Sequence, residues 1–170
     1  MRPGPAVPHV VGALTAFAGV AMLLPAAVSF SYLESDGWWI LASALAAIVV
    51  GVGMNRAFRL TRDVTIRDGF AIVTGGWVSV AFFGSLPYLL TGSIDSFSGA
   101  FFESMSGLTT TGATVVADID ALSHGVLLWR SMTQWLGGMG IIVLFVALLP
   151  ELGPGARFLY KLEVPGPTAE

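Results

Sequence analysis

The sequence has 170 residues, of which 55% are hydrophobic and only 11% are charged. A soluble domain carries about a quarter charged residues, so we expect much of this chain to face lipid. The net charge of −3 and the lack of a basic stripe predict that nucleic acid is not a partner. The sequence has no cysteine, which excludes disulfides, thiolate metal sites and cysteine nucleophiles.

Four segments are long and apolar enough to be predicted transmembrane helices. They cover about residues 10–32, 38–54, 69–90 and 125–149. The first is too long for the apolar core of a signal peptide, so we expect it to be retained as a helix. Residues 95–107 are apolar on one side but too short to cross a bilayer, and Asp95 or Ser96 is suited to cap their start. We therefore predict a re-entrant segment there.

The charged residues predict the orientation of these spans. Basic residues precede the first span, flank the link between the second and third, and follow the fourth: Arg2, Arg56, Arg59, Arg62, Arg67, Arg157 and Lys161. With four spans they all fall on one side, which the positive-inside rule assigns to the cytoplasm together with both termini. The opposite loops carry only acidic charges: Glu34, Asp36, Asp95, Asp118 and Asp120. The last two either concentrate cations at the outer face or are ordinary solvated acids.

A Thr-Thr-Thr-Gly sequence follows the short segment, at residues 109–112. A cation that crosses hydrocarbon needs oxygens in place of its water, and backbone carbonyls supply them as fixed dipoles. Threonine favours extended backbone, and Gly112 can adopt dihedrals that turn a carbonyl toward the ion. The C-terminal end of the preceding helix would add a partial negative charge. The alternative is that these residues form a polar turn between helices.

Glu103 and Arg130 are the ionisable residues closest to the predicted membrane interior. A charge at the bilayer centre costs about 2.5–3.5 kcal/mol on insertion scales, so such residues face protein or water. Our hypothesis is that Glu103 supports residues 109–112 through polar contacts, with Arg130 as its partner. In the alternative, Arg130 extends to the outer interface. Small residues let helices approach closely. We expect the small-residue patch of Gly137, Gly138 and Gly140 to pack against the short helix.

Residues 101–114 (FFESMSGLTTTGAT) resemble the pore helix and filter of the Trk/Ktr/HKT superfamily, most closely those of TrkH-type potassium uptake proteins. The resemblance continues through residues 128–143 and 159–167, and the two leading spans resemble the extra helix pair of TrkH-type proteins. It implies an all-α membrane protein in three parts. These are a helix pair with a basic cytoplasmic link (1–62), one membrane-pore-membrane repeat (63–160), and a cytoplasmic tail or connector (161–170).

In that family four such repeats surround one axis, and each contributes filter carbonyls and one glycine. The resemblance implies that Thr109, Thr110, Thr111 and Gly112 form the filter of the first repeat, and that K⁺ contacts Thr110, Thr111 and Gly112. Plant relatives with serine at the glycine position favour Na⁺, so Gly112 implies K⁺.

The same resemblance implies a multi-pass protein of the cell (inner) membrane that needs no cofactor, with K⁺ as the transported ion. The implied partners are the lipid bilayer, further pore repeats and a cytoplasmic nucleotide-binding regulatory subunit.

The sequence contains a single repeat, so one chain is expected to supply a quarter of the filter. The expected function is K⁺ transport through a pore completed by repeats from the same gene, from a split partner or from identical copies. The alternative is a non-conducting fragment or assembly subunit of a split transporter. We do not expect an enzyme, because no Ser–His spacing or paired acids in the apolar segments support an intramembrane hydrolase.

Overall fold

The computed structural model describes residues 6–58 and 65–148. They form five α-helices: α1 (Ala6–Ser31), α2 (Asp36–Ala57), α3 (Ile66–Leu90), α4 (Phe97–Leu108) and α5 (His124–Leu148). No strand occurs in this part of the chain, in agreement with the predicted all-α class. Most of the basic link between α2 and α3, the tail at 161–170, and Arg2, Arg157 and Lys161 lie outside the described residues.

The helices differ in their capacity to cross a membrane. Among the described residues, α1, α2 and Arg67–Leu90 of α3 are long and apolar enough to do so. The 25 residues of α5, which correspond to the fourth predicted span, extend about 37 Å at 1.5 Å per residue. The 12 residues of α4 extend only about 18 Å, which is shorter than the hydrocarbon layer of about 30 Å.

Small residues bring α1 and α2 together as an antiparallel pair. A Cβ atom on Gly12 of α1 would overlap the backbone of Gly51 in α2, and at the other end Gly37 lies against the ring of Phe30. In lipid, no hydrophobic effect drives helices together, and small residues allow the close van der Waals packing that contributes to their association. These glycines therefore position α2 on α1.

The core of the bundle joins α1 and α2 to the later helices. Its largest fully buried side chains are Trp129, Tyr88, Met22 and Ile40, and Nε1 of Trp129 donates to the carbonyl of Gly84 at 2.9 Å. Large apolar side chains are exposed on α1, α2 and α3: Phe17, Val20, Leu24, Val49, Phe70 and Val78. Such extensive apolar exposure fits a lipid environment.

Acidic residues of the loops collect at one end of the bundle, and arginines lie at the other, where Asp68 is buried in the first turn of α3. At one end, Glu34 accepts hydrogen bonds from the backbone N–H and Nδ1 of His124, at 2.9 and 2.8 Å. A cavity of about 490 Å³, which spans the loops beside α2, α3, α4 and α5, is lined by Asp36, Asp95 and Asp118. Arg56 lies in the last turn of α2 and Arg67 at the start of α3, at the other end. We refer below to the end that carries Glu34 as the acidic end.

Candidate functional site

A side-chain cap starts α4 at the acidic end. Ser96 has extended dihedrals (φ −105°, ψ 137°), and its hydroxyl accepts a hydrogen bond from the N–H of Gly99 at 3.1 Å. This is an N-cap, which satisfies one of the amides that a helix start leaves without partners. Of the two capping residues that the sequence suggested, Ser96 fills the role.

The other end of α4 lies against the middle of α5. A Cβ atom on Gly137 would overlap the carbonyl of Leu108, the last residue of α4. Gly137 lies about 20 Å from the first residue of α5 at 1.5 Å per residue. The chain then turns back, because Ala117 and Asp118 line the cavity at the acidic end. The segment from α4 to α5 therefore enters the bundle and leaves it at the same end.

A left-handed turn follows α4. Thr110 has φ +57°, its N–H donates to the carbonyl of Gly107 at 2.9 Å, and the N–H of Thr111 donates to the carbonyl of Ser106 at 3.0 Å. These two bonds form a Schellman motif with Thr110 in the left-handed position. The expectation of extended backbone is therefore wrong at Thr110, and also at Thr109 (φ −79°, ψ 1°). The reason is that the open carbonyls at the end of α4 accept hydrogen bonds from the next amides.

This turn decides where the following carbonyls point. The N–H groups of Thr110, Thr111 and Gly112 donate to carbonyls in the last turn of α4 at 2.9, 3.0 and 3.5 Å. No described peptide bond is cis, and in a planar trans peptide the C=O points opposite to the N–H. The carbonyls of Thr109, Thr110 and Thr111 therefore point away from α4.

Gly112 occupies a conformation that glycine adopts readily. Its φ is +75°, and a Cβ atom there would meet no heavy atom within 4 Å. Residues 109–115 are exposed in this chain. The backbone conformation, not crowding, is therefore what favours glycine at this position.

Glu103 connects α4, α5 and the segment that returns to the acidic end. Its side chain is buried, and it accepts hydrogen bonds from the hydroxyl of Thr114 at 2.9 Å and the N–H of Val115 at 3.0 Å. Nε of Arg130 also donates to it, at 2.6 Å, in an ion pair. The structure thus brings Glu103 and Arg130 together, and it adds Thr114 and Val115, which sequence reasoning did not single out. A threonine in an exposed loop carries no sequence signal for such a contact.

Glu34 is a second carboxylate whose partners are distant in sequence. Burial alone would raise the pKa of Glu34, but hydrogen bonds from the backbone N–H and ring of His124, from Ser29 and from the N–H of Gly125 outweigh that effect. They hold the pKa of Glu34 below its usual value. The ring of His124 also stacks on Tyr32, with a centroid distance of 3.8 Å. Glu34 therefore fixes the start of α5 to the loop between α1 and α2.

Known proteins are similar to this chain in sequence and in architecture. The family model described as TrkH, cation transport protein, matches residues 40–170. This chain belongs to the TrkH family. It is 44% identical over 168 residues to the Trk system potassium uptake protein TrkH of Halomonas elongata, which covers 95% of this chain and 34% of that protein. It is 40% identical over 167 residues to TrkH of Escherichia coli strain K12. That match covers 97% of this chain and 35% of the Escherichia coli protein.

A solved TrkH structure also matches the fold. The crystal structure of the potassium transporter TrkH from Vibrio parahaemolyticus superposes with a TM-score of 0.82 at 38% identity, over 93% of this chain and 36% of that one. The match confirms the predicted all-α membrane fold, and membership of the TrkH family supports a membrane location. The chain spans roughly a third of the length of these relatives.

Proposed function

We propose that this chain supplies one quarter of a carbonyl selectivity filter in a TrkH-like K⁺ uptake system. The main support for this proposal is the course of the chain before, along and after α4. The segment enters from the acidic end, ends against Gly137 in the middle of α5, and returns. At membrane depth, non-helical backbone is tolerated only where it is buried in protein or lines a water-filled cavity. Residues 109–112 are exposed in this chain, so in the assembly they would line such a cavity.

The chemistry of the exposed segment suits a monovalent cation. The carbonyls of Thr110 and Thr111 point away from α4 and are free to replace the water around K⁺, and we assign the ion to these two residues and to the adjacent Gly112. The C-terminal end of α4 adds a partial negative charge beside them. The curated relatives named above are potassium uptake proteins, which supports K⁺ as the ion.

Glu103 and Arg130 have a supporting role in this proposal. The carboxylate of Glu103 holds the segment after the filter through Thr114 and Val115, and Arg130 supplies the charge that balances it. The pair would keep the filter fixed between α4 and α5 while ions pass.

One filter segment cannot surround an ion, so the proposal includes further pore repeats as partners. In this arrangement residues 1–62 form the leading helix pair, residues 63–160 form one repeat, and residues 161–170 continue on the cytoplasmic side. The acidic end faces outward and both ends of the chain lie in the cytoplasm, where a nucleotide-binding regulatory subunit would bind. We expect no K⁺ flux into liposomes that contain this chain alone. Flux there would instead favour a pore of identical copies.

Substitution of Gly112 tests the proposed filter in the complete assembly. A side chain at φ +75° costs about 1–3 kcal/mol, and in the assembly it would project toward the ion. We expect Gly112→Ser to reduce K⁺ uptake by at least about tenfold, or to reduce the preference for K⁺ over Na⁺ similarly. The measurement is uptake in bacteria that lack other K⁺ uptake systems.

Gly92 provides the matched control. It has φ +71°, and a Cβ atom there would also meet no heavy atom within 4 Å, but it lies in the loop between α3 and α4. Gly92→Ser carries the same backbone strain and should leave K⁺ uptake and selectivity close to wild type. Equal effects of the two substitutions, or none at Gly112, would rule out the proposed filter.

A further inference from the structure

Ser106 makes polar contacts with three consecutive residues after the left-handed turn. It is only 5% exposed. Its carbonyl accepts hydrogen bonds from the N–H groups of Thr111 and Gly112, at 3.0 and 3.5 Å. Its hydroxyl donates to the carbonyl of Ala113 at 2.6 Å. One buried serine therefore holds both peptide N–H groups and a peptide oxygen of the segment.

These contacts divide the peptide oxygens into two groups. The carbonyls of Thr110 and Thr111 point outward, because the N–H groups of the same peptides point at Ser106. The carbonyl of Ala113 points inward, because it accepts the hydroxyl of Ser106. The row of outward carbonyls therefore ends before Ala113.

Packing alone does not hold this part of the chain. Gly112 has no side chain, and a Cβ atom there would have no neighbour within 4 Å. A filter can select ions through the number and the field strength of the carbonyl dipoles that coordinate them. The backbone at Gly112 and Ala113 must then be held in place by something other than side-chain packing. The bond from Ser106 to Ala113 is among the shorter O–H···O bonds, and its donor, Ser106, is buried although Ala113 is exposed.

We infer that Ser106 is a positioning residue that sets which carbonyls face the ion and how they are spaced. This inference rests on the proposed function, because it gives Ser106 a role in the selectivity of that filter. It differs from a role in folding alone, since it predicts an effect on the relative affinity for two cations.

Ser104 offers a matched control on the same helix. It is fully buried, and its hydroxyl has no hydrogen-bond partner among the described residues. Ser104→Ala and Ser106→Ala therefore remove the same atom from similar surroundings, and only the second removes a contact with the filter segment. Ser106→Thr keeps the hydroxyl and tests whether that group is what matters.

The experiment measures KM and maximal rate for K⁺ and Na⁺ uptake in the complete assembly. We expect Ser106→Ala to change the ratio of the two KM values by about twofold to tenfold, as the loss of one neutral hydrogen bond predicts. Ser104→Ala and Ser106→Thr should keep the wild-type ratio. If the wild type takes up K⁺ but the ratio of the two KM values is the same in Ser106→Ala as in Ser104→Ala, the inference is overturned and the proposed function is left intact. Absence of K⁺ uptake in the wild-type assembly would overturn both.

Hydrogen–deuterium exchange of the same variants gives a readout that does not depend on transport. Peptides that cover residues 109–115 should exchange faster in Ser106→Ala than in wild type or Ser104→Ala, because the bond that holds Ala113 is gone. Unchanged exchange in Ser106→Ala would also overturn the inference.

Discussion

Thr110 occupies a position where helices commonly place glycine. With φ +57° it is the left-handed residue of the turn that ends α4, and a β-branched residue rarely adopts this conformation. Such a residue costs of order 1–3 kcal/mol. The end of α4 is therefore strained at the first residues of the proposed filter.

Thr110→Gly should relieve that strain. We expect a gain of about 1 kcal/mol in the free energy of unfolding, because glycine adopts positive φ without a steric penalty. Thermal unfolding in detergent measures it as a rise in Tm. Thr109→Gly is the comparison and should lower Tm, since Thr109 has φ −79° and its hydroxyl donates to the carbonyl of Met105 at 2.9 Å. A Tm that falls equally in both variants would show that Thr110 is not strained.

Glu34 predicts a dependence of stability on pH. Its pKa is lowered in the folded chain, so its stabilising effect is fully present above the pKa of the unfolded chain and is lost as the pH falls through the folded value. We expect Tm to fall as the pH drops below the ordinary pKa of glutamate, about 4.3, and to fall less in Glu34→Gln. Asp120→Asn, a change at an exposed loop acid, should follow the wild type. If Glu34→Gln and wild type have parallel pH curves, Glu34 does not contribute to the pH dependence.

Among the helices, α4 depends most on contacts with its neighbours. At 12 residues it is short for an independent helix. Glycines let it fit tightly, since a Cβ atom on Gly84 of α3 or on Gly137 of α5 would overlap it. Glu103 adds polar contacts with α5 and the returning segment. The position of α4, and thus of the proposed filter, depends on α3 and α5 together.

Glu103 and Arg130 cannot simply be exchanged, because Glu103 also accepts hydrogen bonds from Thr114 and Val115. Arg130→Ala should cost about 3–5 kcal/mol, because it leaves a buried carboxylate without its counter-charge. The double exchange Glu103→Arg with Arg130→Glu should not recover this loss, because an arginine at position 103 would face the donors of Thr114 and Val115.

The measurement is thermal unfolding of Arg130→Ala, of the single exchanges Glu103→Arg and Arg130→Glu, and of the double exchange. Arg130→Lys is the control, and it should lose less stability than Arg130→Ala because it keeps the charge. Recovery of wild-type stability in the double exchange would show that the charges alone matter and that the hydrogen bonds to Glu103 do not.

For the whole molecule, the separation of charges predicts which loops face outward. Because the sequence has no cysteine, single substitutions to cysteine can be labelled specifically. Asp95 precedes α4, Asp118 follows the returning segment, and Arg56 lies at the other end; all three are at least partly exposed. We expect a membrane-impermeant maleimide to label Asp95→Cys and Asp118→Cys in intact cells, and Arg56→Cys only after permeabilisation.

The first two positions test the re-entrant course directly. If Asp95→Cys and Asp118→Cys were labelled from opposite sides, α4 and the next residues would cross the membrane, and the proposed filter would be excluded. Labelling of Arg56→Cys from outside would instead reverse the orientation and leave the course of α4 unchanged.

The sequence by itself determined the helices and the class of protein. Long apolar segments can satisfy their backbone in lipid only as helices, so their number and approximate places follow from composition. The short segment between α3 and α5 and a cap at Asp95 or Ser96 were also predictable, because a polar cap before an apolar stretch is a local signal; the structure selected Ser96. The resemblance identified the family without the structure.

Only the tertiary structure decided how the candidate site is held. The left-handed Thr110, the contacts of Glu103 with Thr114 and Val115, and the hydroxyl of Ser106 on Ala113 are not marked by any pattern in the sequence. Serine and threonine occur in many loops and helices, and their hydroxyls bond to whatever backbone lies within reach. Which groups those are depends on how the chain returns past α4, and that course is set by the packing of α3 and α5.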